Sequence, residues 1–420
     1  MPDAAAPTIG TLGDGDVSGL RRRLYALAAV DEFAPLFALF TLWFADNDVT
    51  TAQISLAFIV WSVVALALEI PSGAVADRVD RRLLVAAAFV LRAVGIGIWL
   101  VWPTPTGLVV GALLWAVHDA AASGAWEALI HDELTAVGRA DEYGVVIARV
   151  GQMSHGGLAL GTLAASGLVA LGVSISAVGW VNVAVHAVSV VLVLSLPDVR
   201  WVARDVPADE QPTDAGAPGG PGAVAAWWST LRQGVRDIGA DGTLARLAVV
   251  GAALGGLFIV DEYVPLLARA RDADDAIVPL LVLAVWLGLL TGGEVAARRP
   301  DLRAATLASA IVGGAAVMAF AISFDTPWAL VAVGVGYGTI EATWVVADAR
   351  FQALAPTATR ATVTSVRSLG AGLVSVAAFA VIALRTRDED PTPGLHWVIG
   401  VLALCGYLVW RWIPRRAAVT

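Results

Sequence analysis

Apolar residues run along this chain in blocks close to the ~20 residues that an α-helix needs to cross a bilayer core, separated by short polar segments. The blocks fall at 24–45, 51–70, 83–102, 106–128, 144–170, 174–196, 245–268, 277–296, 303–323, 327–348, 362–384 and 396–413. Runs of this kind suit helices, because lipid offers no partner to open backbone groups. An all-α membrane protein of twelve transmembrane helices is therefore predicted. The pattern breaks from 197 to 240, where Pro, Gly, Asp and Ala are followed by Trp227 and Trp228. This stretch reads as a flexible linker ending in a surface helix, and it divides six spans from six. The expected organisation is a tail at 1–23, a six-helix bundle at 24–196, a linker at 197–244 and a second six-helix bundle at 245–420.

Composition agrees with a bilayer as solvent. A chain of 420 residues that is 58% hydrophobic and 15% charged carries more apolar sequence than one soluble core can bury. The polar leader ends in Arg21, Arg22 and Arg23 and passes straight into an apolar block, so the first span is expected to be retained rather than cleaved. A single cysteine, Cys405, excludes an intrachain disulfide and any cysteine cluster for metal. Every basic residue is arginine, and the net charge is −9, which leaves no basic nucleic-acid footprint. No phosphate-binding loop ending in Gly-Lys-Ser or Gly-Lys-Thr, no serine nucleophile elbow and no paired-histidine zinc motif occurs. Neither enzymatic chemistry nor a cofactor is expected.

Arginine placement sets an orientation. The loops joining even to odd spans, together with both termini, hold 22 of the 27 arginines, and the opposite loops hold four. By the positive-inside rule both termini are expected in the cytoplasm, in a multi-pass protein of the plasma membrane. The opposite loops carry acids, such as Asp272, Asp274 and Asp275.

The halves echo each other. VDEFAPLFA at Val30 to Ala38 returns as VDEYVPLLA at Val260 to Ala268, which suggests a parallel internal repeat. Between spans two and three the chain reads EIPSGAVADRVDRR, from Glu69 to Arg82. Its Gly73, Asp77, Arg78, Arg81 and Arg82 resemble the loop signature of the major facilitator superfamily. Asp80 stands where that family usually has glycine. The resemblance continues through SGAWEALIHDEL at Ser123 to Leu134 and PTATRATVTSVRSL at Pro356 to Leu369, in the manner of a branch with drug-efflux relatives. It implies two bundles that rock about a central cavity lined by spans one, four, seven and ten.

In physical terms, Gly73 permits close helix approach, Asp77 can face a helix N-terminus, and the arginines can pair with acids or lipid phosphates. Asp77 and Arg81 are expected to latch the bundles in one state. The bland alternative is a charged turn that only sets orientation. Glu127, Asp132 and Glu133, near the inner end of span four, are expected to pair with loop arginines in a gating role.

Acids within hydrocarbon cost ~2.5–3.5 kcal/mol on insertion scales, so each needs a partner, water, a proton or a task. Asp31 and Glu32 lie in span one, Asp119 in span four, Asp261 and Glu262 in span seven, and Glu341 in span ten. These are the spans that the resemblance assigns to the cavity. Pro35 and Pro265 stand four residues after Asp31 and Asp261, where a proline leaves the earlier carbonyl unbonded. Each half thus offers a carboxylate beside a free carbonyl, fit for a cation or a proton relay. The alternative is a kinked packing helix whose acids are neutral or bonded to Ser, Tyr or Arg.

Arg92, the lone arginine well inside a span, is expected to pair with Asp31, Glu32 or Asp119. His118 beside Asp119 can shuttle protons, although adjacent helical positions diverge by about 100°. His155 lies in SHGGLALG, whose small residues favour close packing. Tyr337, Glu341 and Trp344 share a face of span ten, where an aromatic pair flanking an acid suits an organic cation or simple packing.

The function expected is secondary transport of a small organic solute by alternating access, coupled to protons or another cation, with export of a cationic or amphipathic compound by a monomer. The rivals are a non-transporting sensor or scaffold of the same architecture, and uptake of a sugar or carboxylate.

Overall fold

The computed structural model describes residues 14–76, 79–196, 223–356, 359–387 and 389–414. Its first half comprises α1 (Asp14–Asp31), α2 (Phe40–Ala45), α3 (Thr51–Ala76), α4 (Arg81–Val101), α5 (Pro105–Ala136), α6 (Tyr143–Ala170) and α7 (Ile175–Leu194). α8 (Ala223–Ala240) precedes the second half, made of α9 (Gly242–Gly256), α10 (Val264–Arg269), α11 (Val278–Arg298), α12 (Ala304–Ala321), α13 (Val333–Leu354), α14 (Arg360–Arg385) and α15 (Thr392–Trp412). Among the described residues there is no strand, only an isolated bridge between Arg387 and Asp390.

Two spans are composite. α1 and α2 form span one across a break at residues 32–39, and α9 and α10 form span seven across a break at residues 257–263. Span ten enters α13 through a tight turn at Pro327–Ala332. Among the described residues, eleven segments are long and apolar enough to cross a bilayer. The twelfth span is α6, whose 28 residues include Gln152, Ser154, His155 and several glycines in place of aliphatic groups. Those glycines serve contact: a Cβ at Gly157 would lie 2.1 Å from the Ala29 carbonyl oxygen, and one at Gly161 would lie 2.8 Å from the Ala34 nitrogen. α6 therefore packs backbone to backbone against the break in span one.

Helix starts follow local chemistry. Thr104 caps α5 by accepting from the Gly107 amide, with Pro105 at the first helical position. Ser174 caps α7, and Asp241 caps α9. α3 and α5 outrun the sequence expectation, reaching Ala76 and Ala136, so Gly73 lies inside a helix rather than in a loop. α8 lies against α9 and α14, where Gly234 backs onto Thr362 and Val366.

Each set of six spans packs chiefly within itself, and the halves meet where α3 touches α14 and α6 touches α11. Twelve alternating crossings put the start of α1 and the end of α15 on one face, the termini face. At the opposite, far face the halves are tied together. Arg269 pairs with Asp46, Thr51 Oγ1 donates to the Glu389 carbonyl oxygen at 2.8 Å, and Ser166 Oγ donates to the Ala276 carbonyl oxygen at 2.6 Å. One turn deeper, Ser55 and Tyr263 share a 2.7 Å hydrogen bond, and the Phe58 ring stacks on Phe379.

Candidate functional site

The break in span one builds the site. Pro35 cannot donate a backbone hydrogen bond, so α1 stops at Asp31 and a short 3-10 turn begins at Pro35. The Leu36 amide has lost its helical partner and donates instead to Asn182 Oδ1 of α7, at 3.1 Å. With that oxygen committed, the Asn182 amide nitrogen faces His186 Nε2 at 3.0 Å. His186 Nε2 must then accept, so the ring proton sits on Nδ1. Nδ1 lies 3.6 Å from Asp31 Oδ1, and Arg92 Nη1 lies 3.8 Å from the same oxygen. Both separations exceed hydrogen-bond length. Asp31 Oδ1 and His186 Nδ1 are buried without a hydrogen-bond partner. Arg92 is 6% exposed, and its guanidinium stands 4.6 Å from the centroid of Trp115.

Asp31, Glu32, Arg92, His118, Asp119 and Glu127 all line one cavity of about 530 Å³. Its walls come from α1, α4, α5 and α6, and Leu27, Val85 and Trp126 place it in the termini half of those helices. His118 Nδ1 and Asp119 Oδ1 are 3.0 Å apart, so the two neighbours do meet despite their angular offset. Trp61 of α3 donates to the other Asp119 oxygen at 3.1 Å. Four carboxyls face this cavity against one guanidinium. Glu127, which sequence reading paired with loop arginines, stands instead on the cavity wall, because its turn of α5 faces α1 rather than the loop.

The second repeat departs from the first. The Asp261 carbonyl is not free, since the Val264 amide reaches it through a 3-10 turn. The Asp261 carboxyl accepts from the Tyr337 hydroxyl at 2.7 Å, while the same hydroxyl accepts from the Asp261 amide at 2.7 Å. Tyr337 is 1% exposed, so this acid is locked into packing by a buried tyrosine. Glu262 turns the other way, into a separate aromatic pocket.

Span ten also differs from expectation. Tyr337 serves Asp261, and Trp344 lies beneath Arg367 at 5.6 Å, so the two aromatics do not flank Glu341 as a cation clamp. Glu341 is half-buried and lines neither the acidic cavity nor the aromatic pocket. Arg92 is not the lone intramembrane arginine, because Arg367 of α14 is 8% exposed, pairs with Asp348 and lies 4.9 Å from the Phe351 ring.

Of the loop motif, Asp77 and Arg78 lie outside the described residues. Arg81 pairs with Asp132, and Arg82 donates to the Leu196 carbonyl oxygen at 2.8 Å. Asp80 caps α4 by accepting from the Arg82 amide at 2.9 Å, which is how a carboxylate serves where a glycine would otherwise turn. Between α5 and α6, Glu142 accepts from Arg139 Nε at 2.6 Å and pairs with Arg21 of α1. The Arg139 hydrogen bond leads in holding the Glu142 carboxyl below its ordinary range, against a smaller opposing effect of desolvation. Among the described residues no three His, Cys, Asp or Glu side chains are grouped to hold a metal.

Sequence reasoning missed Asn182 and His186. Their signal was two polar groups at i and i+4 in an otherwise apolar span, which places them on one helix face. It also missed Trp61 and Trp115, which were lost among the 16 tryptophans of the chain.

Twelve helical spans in two sets of six, with a charged cavity between helices, define a multi-pass membrane protein of the transporter class. Residues 24–379 match the sequence profile of the Major Facilitator Superfamily, and the chain belongs to that family. No curated protein matches it in sequence. Similar solved structures include the nucleoside transporter NupG, at 15% identity over 94% of this chain and 98% of that one, with a TM-score of 0.71. A D-xylose-proton symporter is 14% identical over 94% and 97% of the two chains, with a TM-score of 0.67. A bacterial homologue of the human lysosomal transporter Spinster, inward-facing and unoccupied, is 15% identical over 97% and 100%, with a TM-score of 0.64. At these identities the likeness concerns the fold alone.

Proposed function

We propose that this protein is a secondary transporter that exports a small cationic or amphipathic organic solute across the cytoplasmic membrane in exchange for protons. The carrying observation is the gathering of Asp31, Glu32 and Asp119 around one cavity in which the single guanidinium, Arg92, stands against Trp115 and 3.8 Å from Asp31. Such a cavity repels anions and favours cations, which speaks against uptake of a carboxylate. The arginine bias supports a cytoplasmic termini face, and with that orientation the cavity in the termini half serves the inner side while the far-face ties lie on the outer side. In this reading residues 24–196 and 245–420 move as two bodies joined by 197–244, within one monomer.

The cycle follows from charge. A cation entering from the cytoplasm satisfies carboxylates that otherwise hold a proton or lean on Arg92 and His186. Rocking then exposes the site outside, where protons displace the cation and neutralise the acids for the return. Proton coupling has a precedent on this fold in the xylose neighbour, which is a proton symporter.

The test is flux in proteoliposomes under an imposed pH gradient, using a panel of organic cations from choline to tetraphenylphosphonium. Coupled movement of at least one cation is expected, with a fall of about a hundredfold in Asp31→Asn, the scale for losing a group that takes part directly in proton transfer. Absence of gradient-driven flux for the whole panel overturns the reading, as does undiminished flux in Asp31→Asn.

A further inference from the structure

A second cavity, of about 250 Å³, lies deeper than the first and is separated from it by Trp115, which lines both. Its walls are apolar, with six aromatic side chains and the aliphatic Ala57, Leu108 and Ala112 between them. Phe40 stacks on Trp99 at 5.5 Å and meets Phe58 edge-on at 5.9 Å, while Trp99 stacks on Trp115 at 5.4 Å. Phe37 and Trp61 complete the enclosure. The single ionisable group that reaches this space is the carboxyl of Glu262. That carboxyl has no hydrogen-bond or ion-pair partner among the described residues, unlike its neighbour Asp261, which Tyr337 holds.

All the aromatic walls come from the first half of the chain, and Glu262 alone comes from the second, at the break in span seven. Ser55 and Tyr263 bond across the same seam, and Phe58 packs on Tyr263 and Phe379. In this arrangement, with the halves in contact at the far face, the carboxyl of the second half stands in a cage built by the first.

A carboxylate in an apolar box calls for a cation that has little water to lose. The ring faces are electronegative and attract the diffuse positive surface of an alkylated ammonium, most strongly when water is excluded. Apolar walls also welcome its methyl groups, which a metal ion or a hydrated primary ammonium lacks. The volume falls just below the usual ~300–1,000 Å³ of organic ligand sites, which selects small ligands or a head group.

We infer that the aromatic cage closed by Glu262 is a subsite for a small alkylated ammonium, occupied in the state that is shut at the far face and released when Glu262 withdraws with the second half. This inference deepens the proposed function and rests on its cationic substrate. It places the substrate beyond Trp115, on the path from the acidic cavity toward the far face. Trp61 links the two spaces, since it lines the cage and donates to Asp119 of the first cavity.

The test is equilibrium binding to the purified full chain without any gradient, comparing choline with its neutral isostere 3,3-dimethylbutan-1-ol. Choline is expected to bind at least about tenfold more tightly, and Glu262→Gln to erase that preference while Glu262→Asp keeps part of it. Equal binding of the two probes, or a preference that survives Glu262→Gln, overturns the assignment. Should Glu262→Gln not yield monodisperse protein, labelling of Ala57→Cys inside the cage decides: protection by choline but not by the alcohol upholds the site, and protection by neither or by both overturns it. Failure here combined with gradient-driven tetraphenylphosphonium flux, a cation too bulky for this cage, removes the subsite and leaves the transport reading standing. Choline bound in the cage with no flux of any cation does the reverse.

Discussion

Asp31 carries one oxygen that two donors approach and neither reaches, His186 at 3.6 Å and Arg92 at 3.8 Å. Such an arrangement suits a group that must change charge, because a fully bonded carboxylate would hold its state. His186 keeps its Nδ1 proton aimed at Asp31 only through Asn182, which in turn is fixed by the Leu36 amide. Replacing the imidazole in His186→Leu leaves the Asn182 amide nitrogen without its buried acceptor, at a cost of ~1–3 kcal/mol. The expected outcome is a lower unfolding midpoint in detergent together with a weakened pH dependence of cation binding. An unchanged pH dependence in a destabilised variant would reduce His186 to a packing role. The sequence made Asp31, Glu32 and Asp119 visible because carboxyls in apolar runs stand out. Arg269, four residues after Pro265 and without a counterpart in span one, already favoured Asp31 over Asp261 as the midplane acid; what the sequence did not show is the lock on Asp261, because Tyr337 comes from a distant helix.

The paired breaks in spans one and seven were legible from Pro35 and Pro265, since the missing donor follows from proline chemistry wherever it sits. The rescue of the freed backbone groups was not legible, because their hydrogen bonds come from α7 in one case and from a local 3-10 turn in the other. The element joints on the termini face are ionic. Arg81 ties α4 to α5 through Asp132, and Arg21 ties α1 to the α5–α6 turn through Glu142. Because Arg139 first, and Arg21 after it, hold the Glu142 carboxyl below its ordinary value of 4.5, its contribution is fully present above that value. It is lost only as the pH falls through the lowered folded value. Protection of the α5–α6 turn amides, taken relative to their intrinsic exchange rate at each pH, is thus expected to stay constant from neutral pH down to the ordinary glutamate range and to fall below it. Loss of protection that begins near neutrality would contradict this assignment.

At the scale of the molecule, the six-plus-six layout could be read span by span though not to the helix ends, since span length is set by bilayer thickness while α3 and α5 run on past it. The state of the molecule could not, because far-face closure depends on contacts between residues hundreds of positions apart, such as Arg269 with Asp46 and Thr51 with Glu389. If those ties hold the outer side shut, combining Arg269→Gln with Thr51→Val, which removes the hydroxyl donor, shifts the population outward. Labelling of Ala57→Cys by an impermeant maleimide from outside is then expected to rise by about fivefold or more, the lower end of common conformational couplings. Labelling that does not change would mean that apolar packing around Phe58 and Phe379 alone closes that side.

Exchange of protons for a cation at the cavity carboxyls is measured most directly as proton release when a cation binds to purified protein in weakly buffered solution. Tetraphenylphosphonium is predicted to release protons from the wild-type chain and to release none from the Asp31→Asn, Glu32→Gln double variant. Binding without proton release anywhere in the neutral range, or equal release from the double variant, would contradict that exchange.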